Sequence, residues 1–187
     1  LKDKNLVIYI EPQHKNFVER YKSDKIVFKE LTREQLRKTE YFDKIQKIRT
    51  NESWKNQAGW LSESTQACLE FYNPLIFQKM HYLNEVAEAN PFDTEYFLWV
   101  DAGIANAQCH PGYFSKPWFE ERIIQKLQKF LFLCFPYTGN TEIHGFERNG
   151  MNKFANVDFV DRVARATLFG GNKSDVKFFT EQYNKIA

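Results

Sequence analysis

Long hydrophobic runs are missing from this chain: no apolar stretch approaches the length of a membrane span, and no segment reads as a signal peptide. Cysteine is scarce. Cys68, Cys109 and Cys134 are odd in number, widely spaced and form no CxxC pair. They read as free thiols in a reducing, cytoplasmic compartment. Excess charge of one sign is also missing, with 26 Lys and Arg against 24 Asp and Glu, a net +2. The two signs are interspersed, so charge gives no support to a nucleic-acid partner. GxGxxG, GxxxxGK[ST], HExxH and GxSxG are all absent. Their absence counts against the common dinucleotide, phosphate-loop, zincin and serine-hydrolase chemistries. There is no internal repeat and no low-complexity segment.

What the chain has is aromatic residues, with 18 Phe, 9 Tyr and 4 Trp. They imply thick ring packing or stacking surfaces. The 187 residues suffice for one domain with a sizeable core, so a single domain over 1–187 is expected. The chain begins at Leu1 without an initiator Met, and we read it as a trimmed or partial sequence.

The pattern predicts strands at Leu6–Ile10, Lys25–Leu31, from Tyr96 to its end at Asp101, Phe130–Phe135 and Ala166–Phe169. Helices are expected at His14–Lys22, from Thr32 toward Arg49, from Ser62 or Ser64, after Asn73-Pro74, after Pro117, over Val157–Arg165 and after Ser174. Thr32 with Gln35 reads as a capping box. Asn73 reads as a cap with Pro74 at the first helical position. Phe119, Ile123, Ile124 and Leu127 are expected inward. Thr50–Gly59 and Tyr137–Asn152 read as loops, the second long enough to suggest function. Strands and helices alternate across most of the chain, which predicts an α/β fold with a largely parallel sheet.

The most informative stretch is Tyr96-Phe97-Leu98-Trp99-Val100-Asp101-Ala102-Gly103. An unalternating apolar run fits a strand buried on both faces. Asp101 then stands at its carboxyl end, where ligands of open α/β sheets bind. An ordinary Asp-Ala-Gly turn gives the same letters. A carboxylate there can hold a divalent ion that neutralises a diphosphate, although such ions usually need more oxygen ligands. Lys79 falls on the apolar stripe of the preceding helix, where a lysine either snorkels or enters a site. Gly170-Gly171 closes a strand; it permits close approach of a ligand, or makes a plain turn. Cys109, His110 and His144 could bind a soft metal but match no standard zinc spacing. Asp158, Asp161, Glu142 and Glu147 could each supply a general base, and nothing local separates them from surface acids.

The run Tyr72-Asn73-Pro74-Leu75-Ile76-Phe77-Gln78-Lys79, the Phe97–Ile104 block and Phe169-Gly170-Gly171 together resemble the HtrL/YibB (WlaTC-like) family. The resemblance runs from about Leu6 onward. It implies a glycosyltransferase of GT-A type from surface-glycan or lipopolysaccharide clusters. The implied fold is a Rossmann-like, three-layer α/β/α unit with a mostly parallel central sheet. The implied partners are a nucleotide-diphosphate sugar and a glycan acceptor, with Mn²⁺ or Mg²⁺ as cofactor. The implied location is cytoplasmic, with peripheral contact at the inner membrane. By this similarity Lys79, Asp101, Ala102, Gly103, Gly170 and Gly171 contact the donor. Asp101 takes the first acid of a DxD motif as metal ligand and catalytic group, and Asp158 is the further catalytic candidate. Gly103 stands where the second acid belongs, and the family's first strand is missing ahead of Leu6. A catalytically inactive glycan- or nucleotide-binding domain is the alternative.

Overall fold

In the computed structural model, residues 4–103, 117–127, 129–136 and 148–186 are described. β1 (Leu6–Ile10) and β2 (Ile26–Glu30) form where β-branched and aromatic residues cluster. They pair in parallel, Leu6 opposite Ile26 and Ile10 opposite Glu30. Between them run a 3-10 turn at Pro12–His14 and α1 (Lys15–Glu19).

α2 (Arg33–Arg37) starts at the expected capping box. Thr32 Oγ1 accepts the Gln35 N–H at 3.1 Å, and Gln35 Oε1 accepts the Thr32 N–H at 2.7 Å. The helix expected to continue to Arg49 is interrupted. The Thr39 hydroxyl donates to the Leu36 carbonyl at 2.7 Å, and α3 (Phe42–Arg49) begins anew. The polar segment after it holds the short α4 (Glu52–Lys55), capped by Asn51. Ser64 caps α5 (Thr65–Cys68) by accepting the Ala67 N–H at 3.2 Å.

α6 (Tyr72–Ala89) is the longest helix among the described residues. It starts ahead of the expected Asn73 cap, and the Asn73 amide instead donates to the Gln66 carbonyl at 2.8 Å. It ends at Asn90, whose φ of 39° is left-handed and whose Oδ1 accepts the Thr94 N–H at 2.9 Å. β3 (Tyr96–Val100) follows. α7 (Pro117–Lys126) buries Leu127 just after its end, at 1% exposure, but Ile124 is 45% exposed and not inward. Leu127 lies one turn on from both Ile123 and Ile124, and of these two Ile123 is the one turned partly inward. The Phe119 side chain lies outside the described residues. β4 (Leu131–Pro136), α8 (Arg148–Ala155), β5 (Arg162–Asn172) and α9 (Lys173–Ile186) complete the order. Among the described residues, no helix is long and apolar enough to cross a membrane.

Two expectations at this end are corrected. The helix expected over Val157–Arg165 ends earlier, as α8, and Arg162–Arg165 already belongs to β5. The cap of α9 is Asn172, not Ser174: Asn172 Oδ1 accepts the Asp175 N–H at 2.9 Å and the Ser174 hydroxyl at 2.8 Å.

The fold class is corrected as well. Among the described residues there is no mostly parallel central sheet. β1 and β2 make a two-stranded parallel sheet, and a separate sheet has the order β3-β5-β4 with both pairings antiparallel. Alternation of helix and strand fixes the order of elements but not strand direction, and β5 enters between β3 and β4 against both. The apolar run of β3 therefore belongs to an edge strand of that sheet, not to one buried on both faces; Val100 at its end is 41% exposed.

Gly170 makes the β3–β5 contact possible. It lies opposite Leu98, its φ of 153° disfavours side chains, and a Cβ there would stand 2.0 Å from the Phe97 carbonyl oxygen. α6 and α9 pack on this sheet around Met80, Leu83, Ala87, Phe97, Phe169 and Val176. Phe130, Phe132 and Phe179 extend the cluster, with the Phe130 and Phe179 rings stacked at 4.3 Å.

Candidate functional site

Side chains on a strand alternate between faces, so Phe97, Trp99 and Asp101 point the same way. Phe97 belongs to the core beneath α6, and Asp101 is thereby aimed at that helix. The ladder continues one step past β3, because the Asp101 N–H donates to the Thr167 carbonyl at 2.9 Å. From α6, Lys79 meets it: Lys79 Nζ donates to Asp101 Oδ2 at 2.7 Å. The other carboxylate oxygen, Oδ1, accepts the indole N–H of Trp99 at 2.6 Å.

Lys79 is thoroughly enclosed, its side chain 7% exposed against 26% for Asp101. A second proton of its ammonium goes to the Ala166 carbonyl at 3.1 Å, and the Trp99 ring centroid is 6.0 Å away. The Ala166 carbonyl is free for this because the β4–β5 register jumps, from Phe132 opposite Phe169 to Leu133 opposite Arg165. The irregularity skips residues 166–168 on the β4 side, as a bulge does, and bulges gather beside functional sites. One lysine thus joins α6, the end of β3 and the bulge of β5. Neither Trp99 nor Ala166 was among the sequence candidates. Trp99 was legible as a same-face neighbour two residues before Asp101; a main-chain carbonyl exposed by a bulge leaves no signal in the letters.

Ala102 and Gly103 are exposed, and a Cβ at Gly103 would meet nothing within 4 Å. Among the described residues, the ground beside the carboxylate is therefore open. Gly170 and Gly171 are buried in the body of β5, opposite Leu98 and Phe97, rather than at an open strand end. Asp158 is exposed between α8 and β5, and its backbone carbonyl accepts from the Asn152 amide at 3.1 Å. No hydrogen bond or ion pair among the described residues links the Asp158 carboxylate to Asp101. Asp161 is exposed and lies 3.9 Å from Arg162 Nε. Cys109, His110, Glu142, His144 and Glu147 lie outside the described residues.

Among the described residues, the donor set around Asp101 does not suit the divalent cation that the resemblance implies. Among the described residues, no three His, Cys, Asp or Glu side chains gather to hold a metal. Asp101 has each oxygen bonded within the protein, and its charge is already met by Lys79. What the arrangement can do is hold one carboxylate still. A carboxylate offers about four acceptor positions, and Lys79 and Trp99 use two of them. The others can take hydroxyl or N–H donors of a ligand entering past Ala102 and Gly103.

Nearby groups are tuned by burial. Desolvation pushes the Tyr82 phenol up to about 12, with the Glu85 charge adding to it. Burial also raises Tyr9 strongly, and Glu85 adds through charge and a hydrogen bond. Both hydroxyls stay protonated at neutral pH.

The fold and the clamped acid at the end of β3 do not by themselves fix a function for the chain. Its family is more definite: the chain belongs to the family described as "Bacterial protein of unknown function (HtrL_YibB)", which matches residues 1–129. Lys79, Trp99 and Asp101 fall inside that match; Ala166, Gly170 and Gly171 fall beyond it. No curated protein and no solved structure matches the chain.

Proposed function

We propose that this chain transfers a sugar from a nucleotide-diphosphate donor to a surface-glycan or lipopolysaccharide acceptor, with Asp101 as the residue that positions the reacting donor. The observation that supports this reading is the fixed carboxylate at the end of β3, held by Lys79 and Trp99 beside the exposed Ala102-Gly103. A carboxylate bonded on both oxygens cannot swing, and pre-set orientation is a main source of rate for a reaction between two bound molecules. Its free acceptor positions suit sugar hydroxyls. Stabilising the leaving nucleotide is the larger electrostatic task, and no step through a metal is assigned to this donor set.

One observation favours the rival reading, a non-catalytic glycan- or nucleotide-binding domain. Asp101 is already paired with a lysine, which is also how a purely structural ion pair looks. The two readings separate by incubating the chain with a panel of nucleotide sugars and an acceptor glycan. Release of nucleoside diphosphate that depends on the acceptor supports transfer. Binding of a donor without release supports the rival.

A further inference from the structure

We infer that the cavity between the carboxyl ends of β1 and β2 and the side of α6 binds a single neutral sugar ring. The cavity measures about 200 Å³. Tyr9 and Lys29 stand opposite each other in the β1–β2 pairing and line it from the sheet. Gln78, Tyr82 and Glu85 line it from α6, at the i, i+4, i+7 spacing that puts them on one helical face. Gln35 of α2 contributes at the edge.

Gln78 points to a ligand. It is only 9% exposed, yet its side-chain amide makes no hydrogen bond to any described residue. Its polar atoms are not sealed off from solvent; they open onto the cavity and offer it a donor and an acceptor that no described residue uses.

The surrounding chemistry selects the ligand. Lys29 pairs with Glu85, and Glu30 adds a further carboxylate to the lining, so the cavity has no excess positive charge that would draw a phosphate or a carboxylate. The Tyr9 hydroxyl shares its one proton between Glu85 Oε2 at 3.1 Å and the Tyr82 carbonyl at 3.3 Å. The Tyr9 and Tyr82 rings stack on each other at 4.4 Å, so they offer an aromatic wall rather than a slot between two rings. A flat base gains most from such a slot; a pyranose needs one wall for its C–H face and polar groups at its edge. Vicinal hydroxyls both donate and accept, and here they meet an amide, a carboxylate and an ammonium. Pockets for drug-sized ligands run to about 300–1,000 Å³, so this one holds one ring and not a nucleoside.

The cavity adjoins the Asp101 clamp through Trp99, whose ring centroid lies 6.3 Å from that of Tyr9 and 6.3 Å from that of Tyr82. Ring binding here does not depend on sugar transfer, and the test reads binding alone. The whole chain is titrated with methyl glucoside, methyl galactoside and methyl N-acetylglucosaminide, following the Gln78 side-chain amide by ¹⁵N–¹H NMR. Uridine, adenosine and inorganic phosphate are run as separate arms. At least one glycoside should shift the Gln78 amide and saturate. Gln78→Leu and Glu85→Gln should each weaken that binding about tenfold while leaving the circular dichroism and melting curve intact. Glu85 is exposed, so its variant keeps the test decisive if Gln78→Leu does not fold. The inference is overturned if no glycoside binds, if binding ignores both substitutions, or if only a nucleoside or phosphate binds.

Discussion

Lys79 and Asp101 carry opposite risks when changed. Asp101→Asn leaves a buried ammonium without its counter-charge, and Lys79→Met leaves the carboxylate and the Ala166 carbonyl without their donor. Either single change should cost about 3 kcal/mol, whereas Lys79→Met with Asp101→Leu should recover much of the loss. Urea denaturation of the four chains measures this; two near-neutral single variants would show that the pair contributes little. His81 gives a second expectation. Burial lowers its pKa from the ordinary value, against a smaller opposing pull from Glu40, and its Nε2 is buried without a hydrogen-bond partner. The unfolded chain therefore binds the proton more readily than the folded one. This contribution to stability is complete above the unfolded pKa of about 6.5 and is lost as pH falls toward the lower folded value. His81 stands against the rings of Tyr41, Phe77 and Tyr183, so His81→Phe should flatten the acid limb of a stability-versus-pH curve. An unchanged limb would place the sensitivity elsewhere.

At the scale of the element, local chemistry was legible and partner geometry was not. The Thr32–Gln35 capping box was readable because its hydrogen bonds join residues three apart, and Thr32→Ala should cost about 1 kcal/mol by chemical denaturation. β1, β2, β3 and β4 were readable from β-branched and aromatic runs. β5 was not: Ala166–Phe169 marked only its middle, and Gly170-Gly171 read as its end. Glycine normally weakens a strand, yet here the missing side chain lets β5 reach β3. Gly170→Ala should therefore cost about 4 kcal/mol or prevent folding, since the new Cβ would collide with the Phe97 carbonyl. Soluble expression and a melting curve check this, and a wild-type melt would contradict the close approach. The bulge that frees the Ala166 carbonyl was invisible for the same reason, because it depends on the register between two strands far apart in sequence.

At the scale of the whole molecule, the sequence placed Lys79 before a strand that ends in Asp101, and the fold brings the two to 2.7 Å. The expected role of each shifts with that contact. The ammonium is turned inward to hold the acid, and position 103 carries a glycine rather than a second carboxylate. The sheet order explains how this was reached without a mostly parallel core: β5 runs antiparallel beside β3 and supplies the backbone that Asp101 and Lys79 both bond. Trp99 bonds the Asp101 carboxylate through its indole N–H, and its ring centroid lies 6.3 Å from those of Tyr9 and Tyr82, which line the Gln78 cavity.

The most direct measurement is nucleoside diphosphate release from a panel of nucleotide sugars with an acceptor glycan, comparing the wild-type chain with Asp101→Asn after folding is verified by circular dichroism. Acceptor-dependent release from at least one donor is expected of the wild-type chain, reduced about a hundredfold or more in Asp101→Asn. Release at the wild-type rate by Asp101→Asn, or no release from any donor by the wild-type chain, would contradict it.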